Sequence, residues 1–337
     1  MDSVKVGIYG ATGYTGCELA MILQRHSQVE ITFATSQSHA GKSLRDIFPA
    51  APDLPLIDAG EAEPGSVDVV FLCLPHAASA ATAVTALDAG TKVIDLSADF
   101  RLQDVGVYEA WYKVTHPAPH LLEEAVYGLT EFARDDLRRT RLVANPGCYT
   151  TTALLALAPL MQAQAKMAGD IIVDAKSGVS GAGRTPKTNT LFVEVTDNFS
   201  PYAIGRAHRH LPEMEQVIGW WHERPPRLIF SPHLLPVPRG ILADIYVSGT
   251  EAWPEGEIRD LYKAAYDDEQ FVDLLPGGEL ATLAHVTHTN RCVISLTFAG
   301  PMLIITSALD NLVKGAAGQA VQNLNAILGW PEELGLV

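Results

Sequence analysis

Short apolar runs alternate with amphipathic stretches along the first half of the chain. Residues 4–9, 29–35, 67–74 and 92–96 are rich in Val, Ile and Phe. These short apolar runs read as strands buried on both faces. Residues 14–26 and 77–89 carry helical spacing between them. This alternation predicts a parallel, doubly wound sheet. Residues 141–144 read as its last strand and Asn145-Pro146-Gly147-Cys148 as the loop that follows. Residues 150–167, rich in Ala and Leu, predict the next helix.

The pattern then changes. Residues 170–175, 227–232, 240–249, 291–299 and 303–306 are strand candidates with long connections and one intervening helix, 256–266. They predict an α+β domain on a mostly antiparallel sheet. Residues 311–328 form a final helical pattern, apolar at Leu312, Val313, Ala316, Ala320 and Leu324. The expected division is a first domain of residues 1–148, completed by the helix at 311–330, and a second domain of residues 149–310.

Composition narrows the function. The chain has 337 residues, 47% hydrophobic and 19% charged, which is globular. Its net charge of −15 argues against nucleic acid and against anionic membranes. It also makes any local cluster of cations notable. The four cysteines, Cys17, Cys73, Cys148 and Cys292, show no paired spacing, so neither zinc nor a disulfide framework is expected. His76, His116, His120, His233, His285 and His288 lack ligand spacing except the last two, and no metal is expected. The start of the chain lacks a signal peptide pattern, and the longest apolar stretch, 151–160, is too short to span a bilayer. The expectation is a cytoplasmic protein.

Gly10-Ala11-Thr12-Gly13-Tyr14-Thr15-Gly16 follows a predicted strand and opens a predicted helix. In that context glycines let the backbone approach a pyrophosphate, and the helix N-terminus offers free amides. A dinucleotide is expected on this loop, and with it a Rossmann domain. An NAD enzyme usually ends its second strand with an acid that takes the ribose 2′-hydroxyl. Here that strand ends Thr35-Ser36-Gln37-Ser38, with Lys42 and Arg45 beyond. Ser36, Ser38 and these cations suit a 2′-phosphate, so NADP(H) is the expected cofactor.

Cys148 lies at a strand-to-helix junction, where helix amides lower a thiol pKa below its usual value of about 8.5. The alternative is a buried small hydrophobe, the usual fate of a free cysteine. That alternative is taken for Cys17, Cys73 and Cys292. A thiolate needs a proton-handling partner. Gly205-Arg206-Ala207-His208-Arg209-His210 offers two His and two Arg, although a solvated basic loop would look the same. Lys176-Ser177-Gly178-Val179-Ser180-Gly181-Ala182-Gly183-Arg184 could line a phosphate or nicotinamide pocket, or be a flexible loop.

Together these stretches resemble the N-acetyl-gamma-glutamyl-phosphate reductases over nearly the whole chain. The residues that carry the resemblance are GATGYTG at 10–16, FLCLPH at 71–76, VIDLSADFRL at 93–102, NPGCYTT at 145–151, KSGVSGAGR at 176–184, HRHLPEM at 208–214 and PHLLPVPRGIL at 232–242. The wider group holds aspartate-semialdehyde and glyceraldehyde-phosphate dehydrogenases. The resemblance implies NADPH-dependent reduction of N-acetyl-gamma-glutamyl phosphate to the 5-semialdehyde, the third step of arginine biosynthesis. It implies Cys148 as nucleophile forming a thioester, and His208, with His210 in reserve, as acid/base. It implies Pro75, Ser177, Gly178, Gly181 and Asn311 at the cofactor, and Arg101, Asn145, Lys176, Arg206 and Arg209 at the substrate. It also implies a homodimer or homotetramer. Many members carry Pro two positions after the cysteine, where this chain has Thr150.

Other readings remain open. A lysine-pathway relative would use the same chemistry on a substrate tethered to an acidic carrier, and the net charge of −15 opposes such docking. Aspartate-semialdehyde dehydrogenase fits the HRH and NPGCYTT stretches poorly. A non-catalytic NADP sensor would need no reactive thiol. A short-chain dehydrogenase would need a Tyr-x-x-x-Lys pair, and none stands at a suitable position.

Overall fold

The computed structural model describes residues 3–250 and 253–337. The first two residues of the expected first domain therefore lie outside the described residues. The chain forms two compact units, Met1–Gly147 with Ala316–Val337, and Cys148–Gly315.

The first unit runs β1 (Val4–Tyr9), α1 (Tyr14–Leu23), β2 (Val29–Thr35), β3 (Leu56–Ile57), β4 (Val69–Leu72), α2 (Ala78–Asp88), β5 (Lys92–Asp95), α3 (Val105–Tyr112), β6 (Val126–Tyr127), α4 (Thr130–Leu137) and β7 (Leu142–Ala144). The seven strands lie in the order β3-β2-β1-β4-β5-β7-β6. Every pairing is parallel. All four residues of β4 and the last four of β1 are buried, as strands covered on both faces require. The order reverses between β1 and β4. That is the switch point at which doubly wound sheets bind ligands beyond their carboxyl ends.

The second unit runs α5 (Cys148–Gln162), β8 (Ile171–Gly178), α6 (Phe192–Val195), β9 (Ser200–Pro201), α7 (Leu211–Trp221), β10 (Leu228–Leu235), β11 (Ile241–Ser248), α8 (Glu255–Tyr266), β12 (Val272–Leu274), β13 (Cys292–Ala299) and β14 (Met302–Leu309). Its sheet has the order β12-β13-β14-β11-β8-β10-β9. It is mixed: β8–β10 and β12–β13 are parallel and the other four pairings antiparallel. On β11, Ile241, Ala243, Ile245 and Val247 are buried while the alternate residues are half-exposed. One face thus packs a core and the other is open.

Helix α5 begins at Cys148, two residues before the sequence predicts, and ends at Gln162 instead of continuing to 167. Residues 149–161 are all buried. Pro159 sits inside it and has no N–H for the carbonyl of Leu155. The Tyr266 hydroxyl donates to that carbonyl instead, and Tyr262 donates to Ala156 at 2.6 Å. The expected continuous final helix is also broken. Val313–Ala317 is a π turn, and only Gly318–Leu328 (α9) is α-helical. From Ala316 onward this segment belongs to the first unit. Among the described residues, no helix is long and apolar enough to cross a membrane.

Candidate active site

In the first unit the glycine loop stands at the switch point. Gly10 has φ +80°, and a Cβ there would lie 2.4 Å from the Cys73 carbonyl oxygen. A Cβ on Gly16 would lie 2.4 Å from the Gly10 carbonyl oxygen. Only glycine permits this close turn. At Gly13, by contrast, an ideal Cβ would make only ordinary van der Waals contact, 3.7 Å from the Gly10 carbonyl oxygen. It caps α1 without a side-chain hydrogen bond, and no acid occupies the first turn. The loop therefore offers helix amides to an anion, as a pyrophosphate site requires. Gly10 N–H donates to Thr35 Oγ1 at 3.2 Å, and the Thr12 and Ser36 hydroxyls pair at 2.9 Å. Ser36 is buried, whereas Ser38, Lys42 and Arg45 are exposed on the loop beyond β2. Pro75 is exposed after β4. The glycine loop and these residues fit a dinucleotide.

Two buried carboxylates brace the neighbouring loops of this unit. Asp99 accepts from the Ala77 and Ala80 amides at 2.8 Å each and from the Tyr108 hydroxyl at 2.7 Å. It thereby holds Ala77 at φ 68°, a left-handed conformation strained for a residue with a side chain. Asp95 accepts from the Ser79 and Ser97 hydroxyls. Burial pushes its carboxyl up to about 6. Arg101, placed at the substrate by the sequence, is buried and donates to the carbonyls of Asn145 and Leu96 at 2.8 Å each. Asn145 is fully buried, donates to the Ala316 carbonyl at 3.2 Å and accepts from Asn323 at 3.0 Å. Both residues shape the loop that leads to Cys148.

In the second unit, Cys148 is the first residue of the 15-residue helix α5 and is half-buried. Tyr149 meets the rings of His208 at 5.5 Å and Phe230 at 5.1 Å, both edge-on. Its hydroxyl accepts from Tyr202 at 3.0 Å and donates to the His233 carbonyl at 3.3 Å. Burial pushes the Tyr149 phenol far up, and the nearby Tyr202 and Cys148 add to the shift. The Tyr202 phenol is pushed up to about 12 by burial, and Cys148 again contributes. The His208 ring stands 4.9 Å from His210. Burial pulls His208 down to about 3, helped by His210 and Arg209. His208 is thus neutral at pH 7. Its Nδ1 accepts the His210 backbone N–H at 3.1 Å, so its own proton sits on Nε2. The structure places the two imidazoles of the HRH stretch against each other.

The remaining cations are spent differently from expectation. Lys176 lies between Asp174 at 2.8 Å and Asp244 at 3.0 Å. Burial opposes its charge, but these two carboxylates outweigh it and raise its pKa. Arg206 makes a two-pronged pair with Glu215 at 2.6 and 2.9 Å and donates to the Leu228 carbonyl at 2.8 Å. Both cations are ion-paired within the unit. Arg209 is exposed. Ser177 is buried and donates to the Gly178 carbonyl. Gly178 lies so close to Arg239 that a Cβ would be 2.6 Å from its amide nitrogen. Gly181 is exposed on the same loop. Asn311 braces that loop, donating to Ser180 Oγ at 2.9 Å and accepting from the Gly240 amide at 2.6 Å. Among the described residues no group of three His, Cys, Asp or Glu is arranged to hold a metal. His285 meets Thr282, and His288 meets Arg239.

Sequence reasoning missed Tyr149, Tyr202 and Asp99. Tyr149 stood in view beside Cys148. Tyr202 gave no signal, because its place beside His208 comes from a loop with left-handed residues at Asp197, Ala203 and Gly205.

Two family models match the chain. A semialdehyde dehydrogenase NAD-binding domain covers residues 5–140, and a semialdehyde dehydrogenase dimerisation domain covers residues 148–311. Among curated relatives, the N-acetyl-gamma-glutamyl-phosphate reductase of Symbiobacterium thermophilum is 46% identical over 340 residues, covering 99% of this chain and 98% of the relative. That of Pelotomaculum thermopropionicum is 47% identical over 344 residues, with the same coverage. Among solved structures, Vibrio cholerae aspartate semialdehyde dehydrogenase II complexed with ASA matches with a TM-score of 0.73 at 20% identity, covering 98% of this chain and 99% of that one. The Candida albicans aspartate semialdehyde dehydrogenase with NADP matches at 0.72 and 15% identity, covering 97% of this chain and 98% of that one. At that identity the likeness shows the two-domain fold.

Proposed function

Because the chain belongs to the N-acetyl-gamma-glutamyl-phosphate reductase family, we propose that it reduces N-acetyl-gamma-glutamyl phosphate to N-acetylglutamate 5-semialdehyde, with release of inorganic phosphate. The reaction serves arginine biosynthesis in the cytoplasm. The cofactor is a nicotinamide dinucleotide, and we assign NADP(H), held by Gly10, Thr12, Gly13, Tyr14, Thr15, Gly16 and Ser36. When bound, it supplies the hydride.

Cys148 is the nucleophile. Its sulfur attacks the acyl carbon, a carbon–sulfur bond forms, and the bond to the phosphate oxygen breaks with the electron pair leaving on phosphate. The product is a thioester on Cys148. After reduction of its carbonyl, the carbon–sulfur bond breaks, the electron pair returns to sulfur, and the aldehyde leaves. His208 aims a neutral Nε2–H donor rather than an imidazolium. That group keeps its proton and donates a hydrogen bond to the oxygen on which negative charge develops, until that oxygen re-forms the carbonyl as the carbon–sulfur bond breaks. Arg209 is assigned to the substrate's negative charge. The open face of the second sheet, with Ile172 43% exposed on β8, is assigned to self-association into a homo-oligomer.

The observation that carries this reading is the aromatic contact of Tyr149, next to Cys148, with a His208 whose tautomer is fixed. The test is the reverse reaction with N-acetylglutamate semialdehyde, phosphate and NADP. Reduction of NADP by the wild type and none by Cys148→Ala support it. No turnover by the wild type with the free substrate would favour a carrier-bound one.

A further inference from the structure

The turn after β14 is built from residues that the proposed chemistry does not use. Asp310 is fully buried there. Its Oδ1 accepts from the amides of Leu312 at 2.9 Å and Val313 at 3.3 Å. Its Oδ2 accepts from the His288 amide at 2.7 Å and lies 3.2 Å from Arg239 Nε. The backbone then enters the π turn Val313–Ala317, with the Gly315 amide bonded to the Asp310 carbonyl at 2.9 Å. Lys314 is fully buried, its ammonium 5.7 Å from the centre of the Phe271 ring. Single π turns are costly insertions and concentrate at functional sites.

Gly315 does not have a positive φ, so backbone freedom does not explain glycine there. Space does. A Cβ on Gly315 would lie 2.8 Å from the Cβ of Cys148, 3.2 Å from Leu309 Cδ1 and 3.3 Å from the Asp310 carbonyl oxygen. The first contact is closer than real Cβ atoms come. The Cys148 Cβ is one bond from its backbone and cannot swing aside as a side-chain tip can. Either the start of α5 or the π turn would have to move.

We propose that Gly315 is a positioning residue for Cys148. Its bare Cα is the wall against which the thiol-bearing carbon rests, and the turn capped by Asp310 holds that wall in place. The inference rests on the reading of Cys148 as nucleophile. A displacement of about 1 Å at a reacting group costs roughly 100-fold in rate.

The test uses the full-length protein and Gly315→Ala. The expected result is a kcat lower by about 100-fold with KM within about threefold, and slower iodoacetamide labelling of Cys148. NADPH affinity should stay at the wild-type value. A double-mutant cycle reads the contact itself. Gly315→Ala lowers Tm in the wild-type background and lowers it clearly less in the Cys148→Gly background, where only the looser contacts with Leu309 and the Asp310 carbonyl remain; if Gly315→Ala alone is insoluble, Cys148→Gly restores soluble protein. Wild-type kcat and labelling in Gly315→Ala, or an equal loss of Tm or solubility in both backgrounds, would overturn the proposal. Failure of the nucleophile reading is a separate result, turnover retained by Cys148→Ala, and the Tm cycle still judges the contact.

Discussion

The backbone N–H of His210 donates to Nδ1 of His208 at 3.1 Å, which fixes the proton of the neutral His208 ring on Nε2. Two residues of one short loop thereby decide the role of an imidazole. On the proposed mechanism His208 serves as a neutral donor, and catalysis should not require an imidazolium.

This predicts that kcat does not fall as pH rises from 6 to 8 through an ordinary histidine titration near 6.5. His208→Ala should lower kcat by about 100-fold or more. His208→Gln, which keeps an N–H donor, should lose less. The same shift sets a stability trend. The unfolded chain binds this proton near 6.5 and the folded one only near 3. The contribution of neutral His208 is therefore complete above 6.5, and stability is lost as pH falls from there toward 3. Denaturant midpoints against pH, compared with His208→Gln, measure it.

At Gly10, alanine meets both a left-handed φ and the Cys73 carbonyl at 2.4 Å. Gly10→Ala should cost about 1–3 kcal/mol in the stability of the first unit. NADPH affinity should drop at least about tenfold, because the amides that receive the pyrophosphate move. Labelling of Cys148, in the other unit, should stay at the wild-type rate. Fluorescence titration with NADPH and peptide mapping of the labelled thiol read the two effects separately.

Ser36 follows the end of β2 as a buried hydroxyl paired with Thr12. Ser36→Asp puts a carboxylate where a 2′-phosphate is expected. NADP affinity should fall by about tenfold or more and the ratio of NAD to NADP turnover should rise. Unchanged preference would contradict the assignment of the 2′-phosphate to this strand end.

Three cations should behave differently. Lys176 and Arg206 are paired with carboxylates of their own unit, so Lys176→Met and Arg206→Ala should reduce stability and leave KM for the acyl phosphate within about threefold. Arg209→Ala should raise that KM by about tenfold or more, as loss of a charge-assisted contact does. Steady-state kinetics at saturating NADPH distinguish them.

The parallel sheet was legible because its strands are short runs rich in Val, Ile and Phe, and β1 and β2 have the bounds that the pattern predicts, although the first four residues of β2 are not buried. Strands β3, β6 and β9 have two residues each, too few to show any period. Helix α4 is strongly polar, with Arg134, Asp135 and Asp136, and its burial depends on distant partners such as Gln319 and Asn323, which bond Thr130. The π turn was hidden because its cause is the Asp310 cap and the space left by Gly315. Around the candidate site, Cys148 was legible from the Asn-Pro-Gly turn before a helix. The ion pairs of Lys176 and Arg206 were not legible for a single reason: local sequence shows the cation but not the carboxylate that folding sets against it. Asp244 reaches Lys176 only through the β8–β11 register, in which it faces Asp174.

The central claim is the covalent thioester on Cys148, and trapping it tests that claim most directly. The protein is mixed with N-acetyl-gamma-glutamyl phosphate without NADPH, quenched in acid and mapped by mass spectrometry. The account predicts one N-acetylglutamyl group on the peptide that carries Cys148, discharged when NADPH is added before the quench. Full turnover with no acyl group on that peptide, or with the group on another residue, would contradict it.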